Sequence, residues 1–283
     1  MITIQTEFPM LDELLSTEPA LPNVPRVVAL VANEASRAEP DLRKLCQLIG
    51  SDAGLAARTL QMANSSKFRF SEQIGNVSEA IAVLGPKYLH SIAQGAATAD
   101  VFRPVPGIQL QTFWRYSVNT AKVARSLAGM LRLNSSTAFT AGLVHAIGEL
   151  VILGGVSPSR TAAINDTAAP LSLRRARAEQ RDLGYCYADV VAALARRWHW
   201  PDFLVDALAH QHEPFEEGSY EPLAGVLHLA AWRASTREAG LSGNALTVTF
   251  PGEVGVPLGL DIDMVLQQDP IDWNSRGTAA SWR

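Results

Sequence analysis

The chain has 283 residues, of which 47% are apolar and 18% charged, and a formal net charge of −4. That length can bury a substantial core as one large domain or two smaller ones, and the composition excludes long disordered segments. A net negative charge offers no global field to a phosphate backbone, so nucleic acid is not an expected partner.

The N-terminus, MITIQTEFPMLDELL, carries acids and a proline where a signal peptide has a basic start and an apolar core. No later run is read as a membrane span, and the expected location is the cytoplasm. Cys46 and Cys186 are the only thiols and form no CxxC pair, which argues against a disulfide framework or zinc knuckle and suits a reducing compartment.

After the proline-bounded segment LPNVP, Val24, Val27, Val28 and Val31 follow the i, i+3, i+4, i+7 spacing of one helical face. Pro40-Asp41 starts a second helix expected to bury Leu42, Leu45 and Ile49, and Gly50 is placed to end it. Ser51-Asp52 caps a third, GLAARTLQMAN, with Leu55, Thr59 and Met62 on one side and Arg58 and Gln61 on the other; Asn64-Ser65-Ser66 breaks it. In VSEAIAVLGPKYLHSIAQGAA, Gly85-Pro86 marks the end of one helix and the start of the next.

RPVPG, residues 103 to 107, reads as a linker within one domain. From Gln109 to Leu131, Trp114, Val118, Ala121, Val123 and Leu127 build one core helix; Phe139, Leu143 and Ile147 mark a second, which carries His145 in the apolar run AGLVHAIGELVIL. Further helices are expected at 186–198, 202–212 and 222–234. Only ALTVTF, residues 245–250, alternates like a short β segment. The fold class is all-α.

LPNVPRVVALVANE, IGSDAGLAARTLQMANSSKF and IGNVSEAIAVLGPKYL stand in an order and at a spacing that resembles the opening of an HDOD domain. This is a bacterial signalling module related to the HD and HD-GYP metal-dependent phosphohydrolases. The likeness continues through FWRYSVNTAKVARSL, AGLVHAIGELVIL, YADVVAALARRWHWPDFLVDALAHQHEP and LHLAAW. It implies an HD-like helical bundle over residues 21–235, in an N-terminal helical layer (21–103) and an HD-like part (108–235). Residues 1–20 form a lead-in and 236–283 a C-terminal extension, which either serves as an interaction segment or packs back on the body.

In the HD enzymes, histidines and aspartates on several helices bind a divalent ion that activates a water. The resemblance puts Tyr116 where those enzymes have a helical histidine, and His145-Ala146 where they have the signature His-Asp pair. Tyr187 takes another histidine position, Gln211-His212 a histidine pair, and Ala231 the closing aspartate. Only His145 and His212 keep a ligand. His210 and His212 point apart on a helix and share a site only if that helix ends before Pro214.

The expectation is therefore no metal, no cofactor and no catalysis, with His145 a packed interior residue and the work done by binding other signalling proteins. Candidate surfaces are SDAGLAARTLQMANSS and a groove near His145, Gln211 and His212. An alternative is a sensor that binds a nucleotide second messenger in the former metal pocket, with Arg174, Arg177 and Arg181 at i, i+3, i+7 as phosphate contacts; their plainer reading is a solvated face. A weaker alternative is residual phosphohydrolase activity from a rebuilt site. His90, His199 and His228 have no second donor at ligand spacing, and Trp198 and Trp200 read as core. No GxGxxG, P-loop, GxSxG or HExxH motif is present.

Overall fold

The computed structural model describes residues 11–68, 73–98, 104–215, 221–270 and 273, all helix, turn or loop. After a single turn, α1 (Leu11–Leu14), four helices form an N-terminal layer: α2 (Pro25–Ala35), α3 (Leu42–Ile49), α4 (Ala53–Ala63) and α5 (Val77–Thr98). Local chemistry explains their limits. Pro25 begins α2, and the Asp41 carboxylate caps α3 by accepting from the Arg43 and Lys44 N–H groups. Asp52 is fully buried; it caps α4 through Leu55 N (2.9 Å) and also accepts from Val24 N (2.5 Å), which pins the start of α2 to α4. Burial pushes its carboxyl up to about 6 against these bonds. Gly85 leaves the helical region (φ 70°, ψ 171°) and kinks α5 at Gly85-Pro86, as the two-helix reading expects.

The second layer holds α6 (Leu110–Met130), α7 (Ser135–Val144), α8 (Ile147–Gly155), α11 (Tyr187–Arg197), α12 (Asp202–Ala209) and α13 (Pro222–Glu238). Helix α6 packs on α7 and α13, α11 on α8 and α12, and α4 touches α7, so one apolar core runs through both layers. Two helices, α9 (Pro158–Thr167) and α10 (Arg175–Leu183), form an excursion between α8 and α11.

Several expectations are corrected. Leu42 is 44% exposed, because it stands at the first turn of α3, beyond the neighbours that cover Leu45 and Ile49. Residues 244–249 form a helix, α14 (Asn244–Thr249), and no strand pairs with them among the described residues. Leu246 and Phe250, which alternate with polar residues, are also i, i+4 neighbours, so a helical turn turns both toward the body. His145 does not lie inside a helix but in the turn between α7 and α8. By composition, Ser135–Gly155 is long and apolar enough to cross a membrane, contrary to expectation, but it is broken at that turn and its apolar window is 83% buried inside the protein.

Of the C-terminal extension, residues 244–270 pack back on the body through α14, α15 (Gly252–Gly255), a 3-10 turn at Val256–Leu258 and α16 (Ile262–Leu266). Val254, Leu258, Leu260 and Val265 are buried, and Trp232 of α13 stacks edge-on with Phe250 at 5.3 Å. Buried Arg233 makes two hydrogen bonds to Asp269, one of 2.7 Å, and lies over the Trp273 ring. Residues 1–10 of the lead-in, Arg103 of the linker and Trp282 lie outside the described residues.

Candidate functional site

Two glycines let the helices around His145 approach closely. A Cβ on Gly142 would sit 2.8 Å from the Ala121 Cα of α6, and one on Gly148 would collide with the Tyr187 carbonyl of α11. These contacts fix the α7–α8 turn between α6 and α11. As α7 ends, the Gly142 carbonyl is freed, and His145 Nδ1–H donates to it at 2.7 Å. That bond sets the tautomer, so Nε2 carries the lone pair and accepts from the Tyr116 hydroxyl at 3.2 Å.

His145 is fully buried. Burial pulls its pKa down to about 4, although the bond to Gly142 opposes the shift, so the ring is neutral at ordinary pH. The same burial, with Glu149 nearby, raises the Tyr116 phenol well above its usual range and keeps its proton on. Gln211 Nε2 donates to the His145 carbonyl (3.3 Å) and to Leu208 O (2.8 Å).

His212 stacks edge-on with Tyr187 at 4.7 Å. Its Nε2 is buried with no hydrogen-bond partner among the described residues. Burial lowers its pKa to about 3, with smaller contributions from His228, His145 and Arg177. His228 Nδ1 donates to the Gln211 carbonyl at 2.9 Å, and burial lowers its pKa as well. Helix α12 does end before Pro214, at Ala209, yet His210 still turns outward: it is exposed and bonded to Asp206 O.

The structure thus brings Tyr116, His145, Tyr187, Gln211 and His212 together, with Ala146 buried beside His145 and Ala231 half-buried on α13. Of the residues expected to line a groove, His145 and Gln211 are buried and His212 is half-buried, with its Nε2 shielded from solvent. Arg174, Arg177 and Arg181 are exposed; Arg181 pairs with Asp182, and Arg177 is the one close enough to influence His212 and His228.

Sequence reasoning missed a charged cluster beside the site. Arg175 is fully buried; its Nε lies 2.7 Å from Glu179 and 3.3 Å from Glu149, and its Nη1 donates to Asn165 Oδ1 and Ala168 O. Glu149 accepts from Leu171 N (3.3 Å) and Glu179 from Tyr187 N (2.8 Å). Two buried carboxyls share one guanidinium, so burial and mutual repulsion push Glu149 up to about 8. The i, i+4 spacing of Arg175 and Glu179 and a lone acid in AIGELVIL were the available signals.

This donor set does not fit a divalent ion. The Tyr116 hydroxyl occupies the His145 lone pair, Ala146 and Ala231 offer no donor, and no group of three His, Cys, Asp or Glu among the described residues is arranged to hold a metal.

Residues 21–214 match the family model for the HDOD domain. An uncharacterized protein of Treponema pallidum is 23% identical over 215 residues, 74% of this chain; the match covers 41% of that relative's length. Among solved structures, the MmoQ response regulator of Methylococcus capsulatus superposes with a TM-score of 0.69 at 22% identity, over 88% of this chain and 97% of that one. An HDOD domain protein with unknown function from Geobacter sulfurreducens gives 0.53 at 24% identity, over 99% and 98%. With the family model spanning more than half of its length, this chain belongs to the HDOD family.

Proposed function

We propose that this chain is a non-catalytic signal-transduction module that works by binding partner proteins. The observation that carries the reading is the hydrogen bond from Tyr116 to His145 Nε2. It satisfies the one imidazole lone pair that the HD chemistry needs, and Ala146 leaves no carboxylate beside it to hold a cation or orient a water. The similarity to a response regulator supports the signalling context. With the His145 lone pair taken up inside the bundle, this reading passes function to surfaces.

The segment 51–66 is mostly buried, but its end contributes Asn64, Ser65 and Ser66 to a groove completed by Phe68, Gln73 and His199. Phe203, 51% exposed, contacts Gly75 near that groove, and a bulky apolar group of this exposure suits a protein partner.

Two measurements test the reading. Elemental analysis of protein purified without chelator or affinity tag, beside a His145→Ala/His212→Ala control, is expected to find no stoichiometric metal. Near-stoichiometric iron, manganese or zinc that the double variant loses would restore the phosphohydrolase alternative. A partner recovered by the wild-type chain is expected to be lost with Phe203→Asp at unchanged thermal stability; equal recovery moves the interface elsewhere.

The nucleotide-sensor reading keeps one favourable observation, the position of exposed Arg177 within electrostatic reach of His212 and His228. Saturable nucleotide binding that Arg177→Ala abolishes supports it, and no binding removes it.

A further inference from the structure

The α9–α10 excursion is attached to the bundle in an unusual way. Helix α9 buries only Thr161 and Ile164, and α10 buries two alanines together with Arg175 and Glu179. Within 158–184 the buried apolar side chains are Ile164, Leu171 and three alanines, so the charged cluster is a large part of what the segment buries. The cluster also fixes the loop between the two helices. Leu171 adopts a left-handed backbone (φ 61°), a conformation that disfavours a leucine. Its N–H is held by Glu149 of α8 and its carbonyl by Ser235 of α13 at 2.9 Å.

The charge count makes this attachment depend on one proton. Arg175 supplies a single positive charge to two carboxyls that are both fully buried. The other groups around the pair add none: Tyr116 of α6 and Tyr187 of α11 are phenols that burial keeps protonated, Tyr185 and Cys186 beside Glu179 are likewise pushed up by burial, and Asn165 of α9, bonded to Arg175, is neutral. Asp189 of α11 adds further negative charge on the Glu179 side.

We propose that one proton retained by the Glu149–Glu179 pair around Arg175 is a latch: it holds the α9–α10 excursion on the bundle, and rising pH releases it. Release frees the loop around Leu171 from its strained conformation. It also uncovers the amino end of α11, where Tyr187 N is bonded to Glu179, and with it the approach to His212. The device is independent of what the module binds.

The test is backbone hydrogen exchange on the full chain between pH 6 and 9, corrected for intrinsic exchange rates, comparing peptides within 158–184 with core peptides of α6. One linked proton raises the opening equilibrium up to tenfold per pH unit below the folded-state titration and no further above it. The expected result is protection of 158–184 that falls up to tenfold per unit toward pH 8 and then levels, while α6 peptides stay constant. Glu149→Gln, an uncharged isostere of the protonated carboxyl, is expected to keep the chain folded and to make protection independent of pH. A flat wild-type profile, an unchanged slope in Glu149→Gln, or a variant unfolded at pH 6 would each overturn the latch.

Discussion

His145 shows how a residue's neighbours set its role. With a carboxylate next to it and a free Nε2 it would be a ligand; with Ala146 beside it and the Tyr116 hydroxyl on Nε2 it is a satisfied interior imidazole. Tyr116→Phe leaves that buried acceptor without a donor and is expected to cost about 1–3 kcal/mol in denaturant unfolding, with an unchanged m-value. His212 makes a different prediction. Its folded pKa of about 3 lies below the usual 6.5, so on acidification the unfolded chain takes the proton first. Relative to His212→Gln, the wild type should therefore lose stability as pH falls from about 6.5 toward 3, by up to about 1.4 kcal/mol per unit. The opposing titrations of Asp52 and Glu149 cancel in that difference; a constant difference between pH 7 and 4 would contradict the assignment. The identities of Tyr116, Ala146, Tyr187, Gln211 and Ala231, at positions where the resemblance implies metal ligands, are legible in the sequence because residue identity is local. The role of Glu149 is not, because its partners stand 22 to 30 residues away.

Helix limits set by short-range chemistry were readable: Asp41 and Asp52 as caps, Pro25 at a first turn, Gly85-Pro86 as a kink. The break at His145–Ala146 was not, since AGLVHAIGELVIL is apolar on every side and has no proline or cap to mark an end. What ends α7 is close packing against two other helices, through Gly142 on α6 and Gly148 on α11. Gly148→Ala places a methyl against the Tyr187 carbonyl, and because the obstacle is backbone it cannot turn away. A loss of about 2 kcal/mol or more is expected, with α8 and α11 pushed apart. Thermal unfolding beside Gly154→Ala, whose Cβ meets nothing within 4 Å, checks it. A similar stability for the two variants would contradict close packing as the cause. The strand-like period of residues 245–250 misled for a related reason: with no neighbouring strand among the described residues, Leu246 and Phe250 are satisfied by a helical turn against α13.

At the scale of the whole molecule, the described residues between 244 and 270 pack on the body. Arg233, Asp269 and Trp273 tie them to α13, the helix that also carries His228 and Ala231, and Glu253 of α15 stands close enough to influence His228. Arg233→Ala removes the buried guanidinium and is expected to speed limited proteolysis within 244–270 severalfold, leaving the N-terminal layer resistant. Equal cleavage rates would show that the apolar contacts of Val254, Leu260 and Val265 hold the segment alone. The sequence by itself determined the all-helical class and the HDOD family, because these rest on periodicity, caps and residue identity, which act over a few positions. Only the tertiary structure decided that Tyr116 seals His145, that Arg175 rather than its exposed neighbours is the arginine at work in the interior, and that residues 244–270 pack on α13. Those outcomes depend on which surfaces meet when the layers pack, and contacts between residues far apart in the chain leave no local mark.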